Sequence, residues 1–229
     1  MDFYKILFLR GIEMKKYLIT IFLSMILLTG CNFNQEEVVH SIDLDGIDTI
    51  YIDHGSENVH LISVEQSNLE VLHSNKNIDV SEKANEVSIS MEKRIFNIGP
   101  KINLNNQLIV KISKDFTGKV IINGTSGNVT SEDLETTNIE VNEKSGNITL
   151  DFKDFHSDVN ITTSSGNVVV SLNTIQPDIE LQTKTASGLQ TITVPIDIEK
   201  QNDKSIEGKA NEGIYFIGIK TASGNISIR

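Results

Sequence analysis

The stretch KVIINGTSGNVTSEDLETTNIEVNEKSGNITL, residues 119–150, states one structural unit twice. Val120 and Ile122 precede Ser126-Gly127-Asn128, and Ile139 and Val141 precede Ser145-Gly146-Asn147 at the same offsets. Val129 follows the first turn, and Ile148 and Leu150 follow the second. Aliphatic residues two positions apart mark a strand with one buried face. Each unit is therefore a strand, a tight turn, a second strand and a return.

The unit recurs outside this stretch. Ser-Gly-Asn appears again at Ser165-Gly166-Asn167 and Ser223-Gly224-Asn225, with a variant at Ser187-Gly188-Leu189. Successive glycines lie 19, 20, 22 and 36 residues apart, and a period near 20 marks stacked supersecondary units. The aliphatic flanks keep pace at Val159/Ile161, Ile179/Leu181 and Ile217/Ile219 before the turns, then Val168/Val170 and Ile226/Ile228 after them. Between the aliphatics stand Ile121, Glu140, Asn160 and Glu180, then Asn123, Asn142, Thr162 and Gln182, and seven of these eight are polar. One face is dry and the other wet in every unit, as a stacked solenoid requires. Glycine permits φ > 0 in the turn, and Asn tolerates the left-handed region and can ladder with the Asn one rung away. The turn residues are thus assigned a structural role.

From these units we expect an all-β fold: a single-domain β-solenoid, parallel β-helix-like, with roughly 20-residue rungs. Composition agrees, because residues 31–229 hold 28 Ile, 16 Val and 15 Thr against 11 Leu and four Ala. Stiff β-branched side chains favour strands, and the best helix formers are scarce. Residues 40–229 would supply about nine rungs at that period. The first half is less regular, with Ile50 and Ile52 before Gly55-Ser56-Glu57-Asn58, as terminal repeats that cap a core usually are. Two excursions interrupt the period, Glu92 to Asn103 and Pro195 to Gly213. The second, with Glu199, Lys200, Asp203, Lys204, Glu207, Lys209 and Glu212, reads as a solvated loop that either covers the outward Phe216 or leaves it in a contact patch.

The head of the chain is of another kind. From Met14, Lys15 and Lys16 precede an uncharged stretch from Tyr17 to Thr29, which ends at Leu28-Thr29-Gly30-Cys31. A basic region, a short apolar core and a small-residue junction make a secretory signal, too short for a membrane span. The junction resembles the lipobox of bacterial lipoprotein signals. That resemblance implies lipid on the Cys31 thiol, signal-peptidase recognition through Leu28, Thr29 and Gly30, and a mature chain that begins at Cys31. Residues 1–30 are then the signal, with Met14 as the expected start, and residues 31–39 a short tether. Two or more acyl chains hold a protein stably on a membrane, where one does not.

Charge and cysteine content exclude several functions. The net charge is −11, from 20 basic and 31 acidic residues, and this argues against a nucleic-acid partner. One cysteine cannot make a disulfide framework, a cysteine zinc site or a CxxC redox pair. His40, His54, His60, His73 and His156 form no metal-binding or catalytic spacing and read as solvated strand or turn residues. Asp43, Asp45 and Asp48 around Gly46 lack the spacing of a calcium loop and read as a turn. No cofactor, metal or catalytic residue is called for.

Tandem strand, Ser-Gly-Asn, strand units behind a lipoprotein signal resemble the bacterial "putative adhesin" domain family, an uncharacterised β-solenoid class of envelope proteins. The resemblance spans about residues 40–229 and is most specific from Lys119 to Arg229. It implies a place on the cell envelope, no catalytic residues, and a binding or scaffolding role. The expected protein is a non-enzymatic, lipid-anchored cell-envelope protein on the external face of the membrane, adhesin-like or an envelope-stress scaffold, with an envelope protein or cell-wall polymer as partner. A β-helix carbohydrate-active enzyme and a purely structural spacer are the alternatives.

Overall fold

The computed structural model describes residues 38–73, 78–91 and 107–229. Cys31, the junction before it and the excursion Glu92 to Asn103 lie outside the described residues. The chain runs through β1 (Val38–Asp43), β2 (Thr49–Gly55), β3 (Asn58–Val64), β4 (Asn68–His73), β5 (Ile78–Lys83), β6 (Glu86–Met91), β7 (Gln107–Ser113), β8 (Lys119–Gly124) and β9 (Val129–Glu132). It continues through β10 (Asn138–Ser145), β11 (Ile148–Asp151), β12 (Asp158–Ser165), β13 (Val168–Ser171), β14 (Ile179–Ser187), β15 (Gln190–Ile192), β16 (Asp197–Asn202), β17 (Ser205–Ala210), β18 (Tyr215–Ser223) and β19 (Ile226–Ile228). The first strand thus begins two residues inside the segment expected as tether.

The strands form two sheets that enclose one core. The nine-stranded sheet has the order β1-β4-β7-β3-β9-β11-β13-β19-β15, and the ten-stranded sheet β16-β17-β14-β18-β12-β10-β8-β2-β6-β5. A rung contributes its strand before the turn to the ten-stranded sheet and its strand after the turn to the other. Through the middle of the stack the register is parallel, with Val120, Ile139, Val159, Ile217 and Leu181 in one column. Those five and Ile122, Val141, Ile161 and Ile219 beside them are all at most 2% exposed. Each such side chain contributes about 1.5–3 kcal/mol through burial, so the column fixes the register.

The turns ladder as well. The Asn128 N–H donates to Asn58 Oδ1, Asn147 to Asn128, Asn167 to Asn147, Asn225 to Asn167, and Leu189 to Asn225, all at 2.8–3.1 Å. Leu189 stands where Asn would be because its rung is the last, and no further N–H waits for a side-chain acceptor. Asn147→Ala should leave the Asn167 N–H without its acceptor and lower stability by about 1 kcal/mol. A fall of a few degrees in melting temperature would register it, and an unchanged midpoint would mean that water replaces the Asn at no cost.

Three features depart from expectation. Among the described residues the parallel rungs number seven, not about nine: β2/β3, β6/β7, β8/β9, β10/β11, β12/β13, β14/β15 and β18/β19. The other five strands pair antiparallel at the ends. The rungs also do not stack in chain order, since β18/β19 lies between β12/β13 and β14/β15, and β2/β3 lies between β6/β7 and β8/β9. The charged stretch Pro195 to Gly213 is no solvated loop but the hairpin β16–β17, which pairs along β14.

The returns between rungs also contribute to the core. Leu134, Phe152, Phe155 and Leu172 are buried there, and Phe155 meets Phe152 and Tyr215 edge to face at 5.0 and 6.2 Å between ring centroids. These rings fill the core opposite the Ser-Gly-Asn turns.

Candidate functional site: the outer face of the ten-stranded sheet

Strand alternation sends every second side chain of the ten-stranded sheet outward, and the parallel register lines those side chains up across it. One row reads Lys184, Lys220, Thr162, Asn142, Asn123 and Asp53, contributed by β14, β18, β12, β10, β8 and β2. Two residues along, the next row reads Gln182, Gly218, Asn160, Glu140, Ile121 and Tyr51. The Asn142 side chain donates to Asn123 Oδ1 at 3.1 Å and to Glu140 Oε1 at 2.9 Å, so the rows are tied to one another. The Lys119 ammonium bonds the other oxygen of Glu140. That cation, and the Asn142 amide after it, hold the Glu140 carboxyl below the usual carboxylate range.

At one end the face is hollowed. Hairpin β16–β17 extends the sheet past β14, and Phe216 projects from β18 beside it. Gly218 follows two residues later, and a Cβ there would lie 2.6 Å from a Phe216 ring carbon. The ring therefore rests over the space that a side chain at 218 would fill. Asn160, Thr162, Gln182, Lys184, Phe216 and Lys220 line an open depression of about 310 Å³, closed on the hairpin side by Ser205 and Glu207. Phe216 is neither wholly covered by the excursion nor left on an open surface: it is half-buried in the floor of this hollow.

The neighbouring charges are unequally satisfied. Glu207 pairs with Lys200 at 2.7 Å, Glu180 accepts from Gln182 at 3.1 Å, and Asp158 accepts the Phe216 N–H at 2.8 Å. Lys184 and Lys220 face each other directly in the register of β14 and β18, both exposed, and neither has an ion pair or side-chain hydrogen bond among the described residues.

The Ser-Gly-Asn residues lie away from this face, along one edge of the stack. Gly127, Gly146, Gly166, Gly188 and Gly224 all have φ between 110° and 154°, and each stacks on the glycine or turn of its neighbour. The Asp43 to Asp48 segment is a turn with Gly46 at φ 77°. Among the described residues no three His, Cys, Asp or Glu side chains converge as metal ligands, and no helix is long and apolar enough to cross a membrane.

The histidines need a correction. His54 and His73 are buried, at 0% and 1% exposure, and are not solvated turn residues. His54 bonds through Nε2 to the carboxylate of Glu143, itself 5% exposed, inside the core below the turns. Sequence reading overlooked Glu143, yet the signal was present. Extending the inward phase of Ile50 and Ile52 reaches His54, and extending that of Ile139 and Val141 reaches Glu143.

The family model described as Toastrack DUF4097 matches residues 47–152 and again 122–229. A solved structure from Clostridium sporogenes, described as a "putative cell adhesion protein", is 15% identical with a TM-score of 0.63, covering 84% of this chain and 98% of its own. A second, from Bacteroides fragilis and described as a "putative adhesin", is 12% identical over 87% of this chain and 100% of its own, with a TM-score of 0.34. No curated protein matches the sequence.

Proposed function

Because the chain belongs to the Toastrack DUF4097 family, a class of β-solenoid-like repeat folds, we propose that it is a non-enzymatic, lipid-anchored protein of the bacterial cell envelope. Its solenoid presents the outer face of the ten-stranded sheet to an extended partner. The observation that carries this reading is the row of polar side chains from Lys184 to Asp53, six strands wide and in register. Strands stand about 4.8 Å apart, so the row repeats hydrogen-bonding groups at an interval that a polymer can follow. The description of the Clostridium sporogenes protein as a "putative cell adhesion protein" supports the same direction.

Anchoring rests on Leu28-Thr29-Gly30-Cys31, and display follows from it. Two or three acyl chains on Cys31 would hold the body at the membrane, while its acidic surface is repelled by anionic lipids and stands off from them. Mass spectrometry of the protein extracted from membranes should show a mature chain that begins at acylated Cys31. Cys31→Ser should leave an uncleaved, unlipidated precursor. An intact Gly30–Cys31 bond in the parent protein would overturn the anchoring.

A further inference from the structure

We propose that the hollow around Phe216 is a binding site for an anionic saccharide, with one sugar ring against Phe216 and its acidic group between Lys184 and Lys220. This rests on the display reading above and names the partner's chemistry.

The first ground is charge. The chain is acidic overall, yet it places two lysines directly opposite one another on adjacent strands, an arrangement that destabilises a sheet. The nearby carboxylates all have partners within the protein: Glu207 with Lys200, Glu180 with Gln182, Asp158 with a backbone N–H and Glu140 with Lys119. The two ammonium groups have none among the described residues. A local rule broken without internal compensation is the mark of a functional position, and an anion would supply the compensation.

The second ground is shape. Gly218 removes the one side chain that would stand between Phe216 and Lys220 on the same strand, and the aromatic ring occupies that space. Phe216 and Lys220 lie four residues apart, about 13 Å along the strand, but the ring leans over position 218, so that about two residues of strand, roughly one sugar unit, separate ring and ammonium. The amides of Asn160 and Gln182 and the Thr162 hydroxyl line the space between, and offer both donors and acceptors to hydroxyl groups. An apolar floor with a few convergent polar groups is the usual form of a small-ligand site.

The test is titration of the purified full chain with hexagalacturonate, with a phosphorylated glycan of similar length, and with a neutral galactose hexamer. At least one charged glycan should bind, its affinity falling as salt rises, and the neutral hexamer should bind at least tenfold more weakly. If only the phosphorylated glycan binds, the anion is a phosphate; if only hexagalacturonate does, a carboxylate. Lys184→Gln with Lys220→Gln should weaken binding at least tenfold while the melting temperature holds or rises, since a repulsion is removed. Phe216→Thr should weaken it at least fivefold, and Lys83→Gln, on the remote strand β5, should leave it unchanged. Equal binding of the neutral hexamer, or equal loss in Lys83→Gln, would overturn the site. Failure of every glycan to bind would overturn it too, while the mass of the mature N-terminus would still decide the anchoring separately.

Discussion

Gly146→Ala is expected to destabilise the protein by about 4 kcal/mol, at the upper end of what single substitutions do. An added Cβ at Gly146 would lie 1.7 Å from the Gly127 carbonyl oxygen and 2.8 Å from its carbon. Neither backbone can yield alone. Gly146 N–H is bonded to Ser165 O on one side, and the Asn ladder ties the adjoining turns at 3.0 Å, so a local shift must disturb several rungs. The positive φ of 132° adds conformational strain to the clash. Gly46→Ala separates the two effects, because Gly46 has φ 77° with nothing within 4 Å of its would-be Cβ. That control should lose only about 1–2 kcal/mol. Urea denaturation of both variants measures the difference. If they fall within 1 kcal/mol of each other, the stacked glycines are not held together by close backbone approach.

That contact also explains what could be read before the structure was known. The period of Ser-Gly-Asn and the alternation around it were legible, because each rung must repeat the same small turn and the same dry face. The order of the rungs was not. Val159 pairs with Ile217 and not with Leu181, which stands at the same offset before the next turn in the chain, and either aliphatic fills the column. Nothing local separates the two choices. What decides is the hairpin β16–β17, which occupies the outer edge of β14 and returns the chain to its inner edge. The hairpin itself had left a trace in Ile206, Gly208 and Ala210, buried at alternate positions within a run that eight charged residues disguise. The same rearrangement hid the candidate site. Lys184 and Lys220 are each readable as outward, but their adjacency depends on two strands that meet out of chain order.

Order at the ends has a physical consequence for the whole stack. A chain that stacked strictly in sequence would leave its last strand, with Ile226 and Ile228, at an open edge. Insertion of β18 and β19 gives each of them a neighbour on both sides. Among the described residues the sheet edges fall instead to β15, only three residues long, to β16, which carries Asp197, Glu199 and Lys200, and to β1 and β5 at the other end. Short and charged edge strands resist pairing with other chains. At the β15 and β16 end strand addition is therefore disfavoured, in keeping with the proposed use of the sheet's face.

His54→Leu is expected to cost about 3 kcal/mol or more, as removing one partner of a buried polar pair leaves the other unsatisfied. Both side chains are enclosed, and the Nδ1 of His54 lies 2.6 Å from the Glu57 carbonyl oxygen, which requires a proton on Nδ1. The opposite nitrogen is hydrogen-bonded to the Glu143 carboxyl group. They meet across β8 because Gly124 has no side chain: a Cβ there would lie 2.1 Å from His54 Nε2 and 2.2 Å from Glu143 Oε1. Without the imidazole, Glu143 keeps a buried carboxyl whose second oxygen already has no hydrogen-bond partner among the described residues. Glu143→Leu alone should also be costly, because it strips His54 of its partner. The two together should not be, since aliphatic side chains of similar volume continue the columns of Ile50, Ile52, Ile139 and Val141 into the same space. The double variant should return to within about 2 kcal/mol of the parent, as buried pairs replaced by packed apolar groups often do. A double-mutant cycle by denaturation reads the coupling directly. Additive losses would show that each residue acts through its own packing, whereas the expected recovery would place the cost in the buried polar group left without its partner and make Gly124 the residue that brings the pair together.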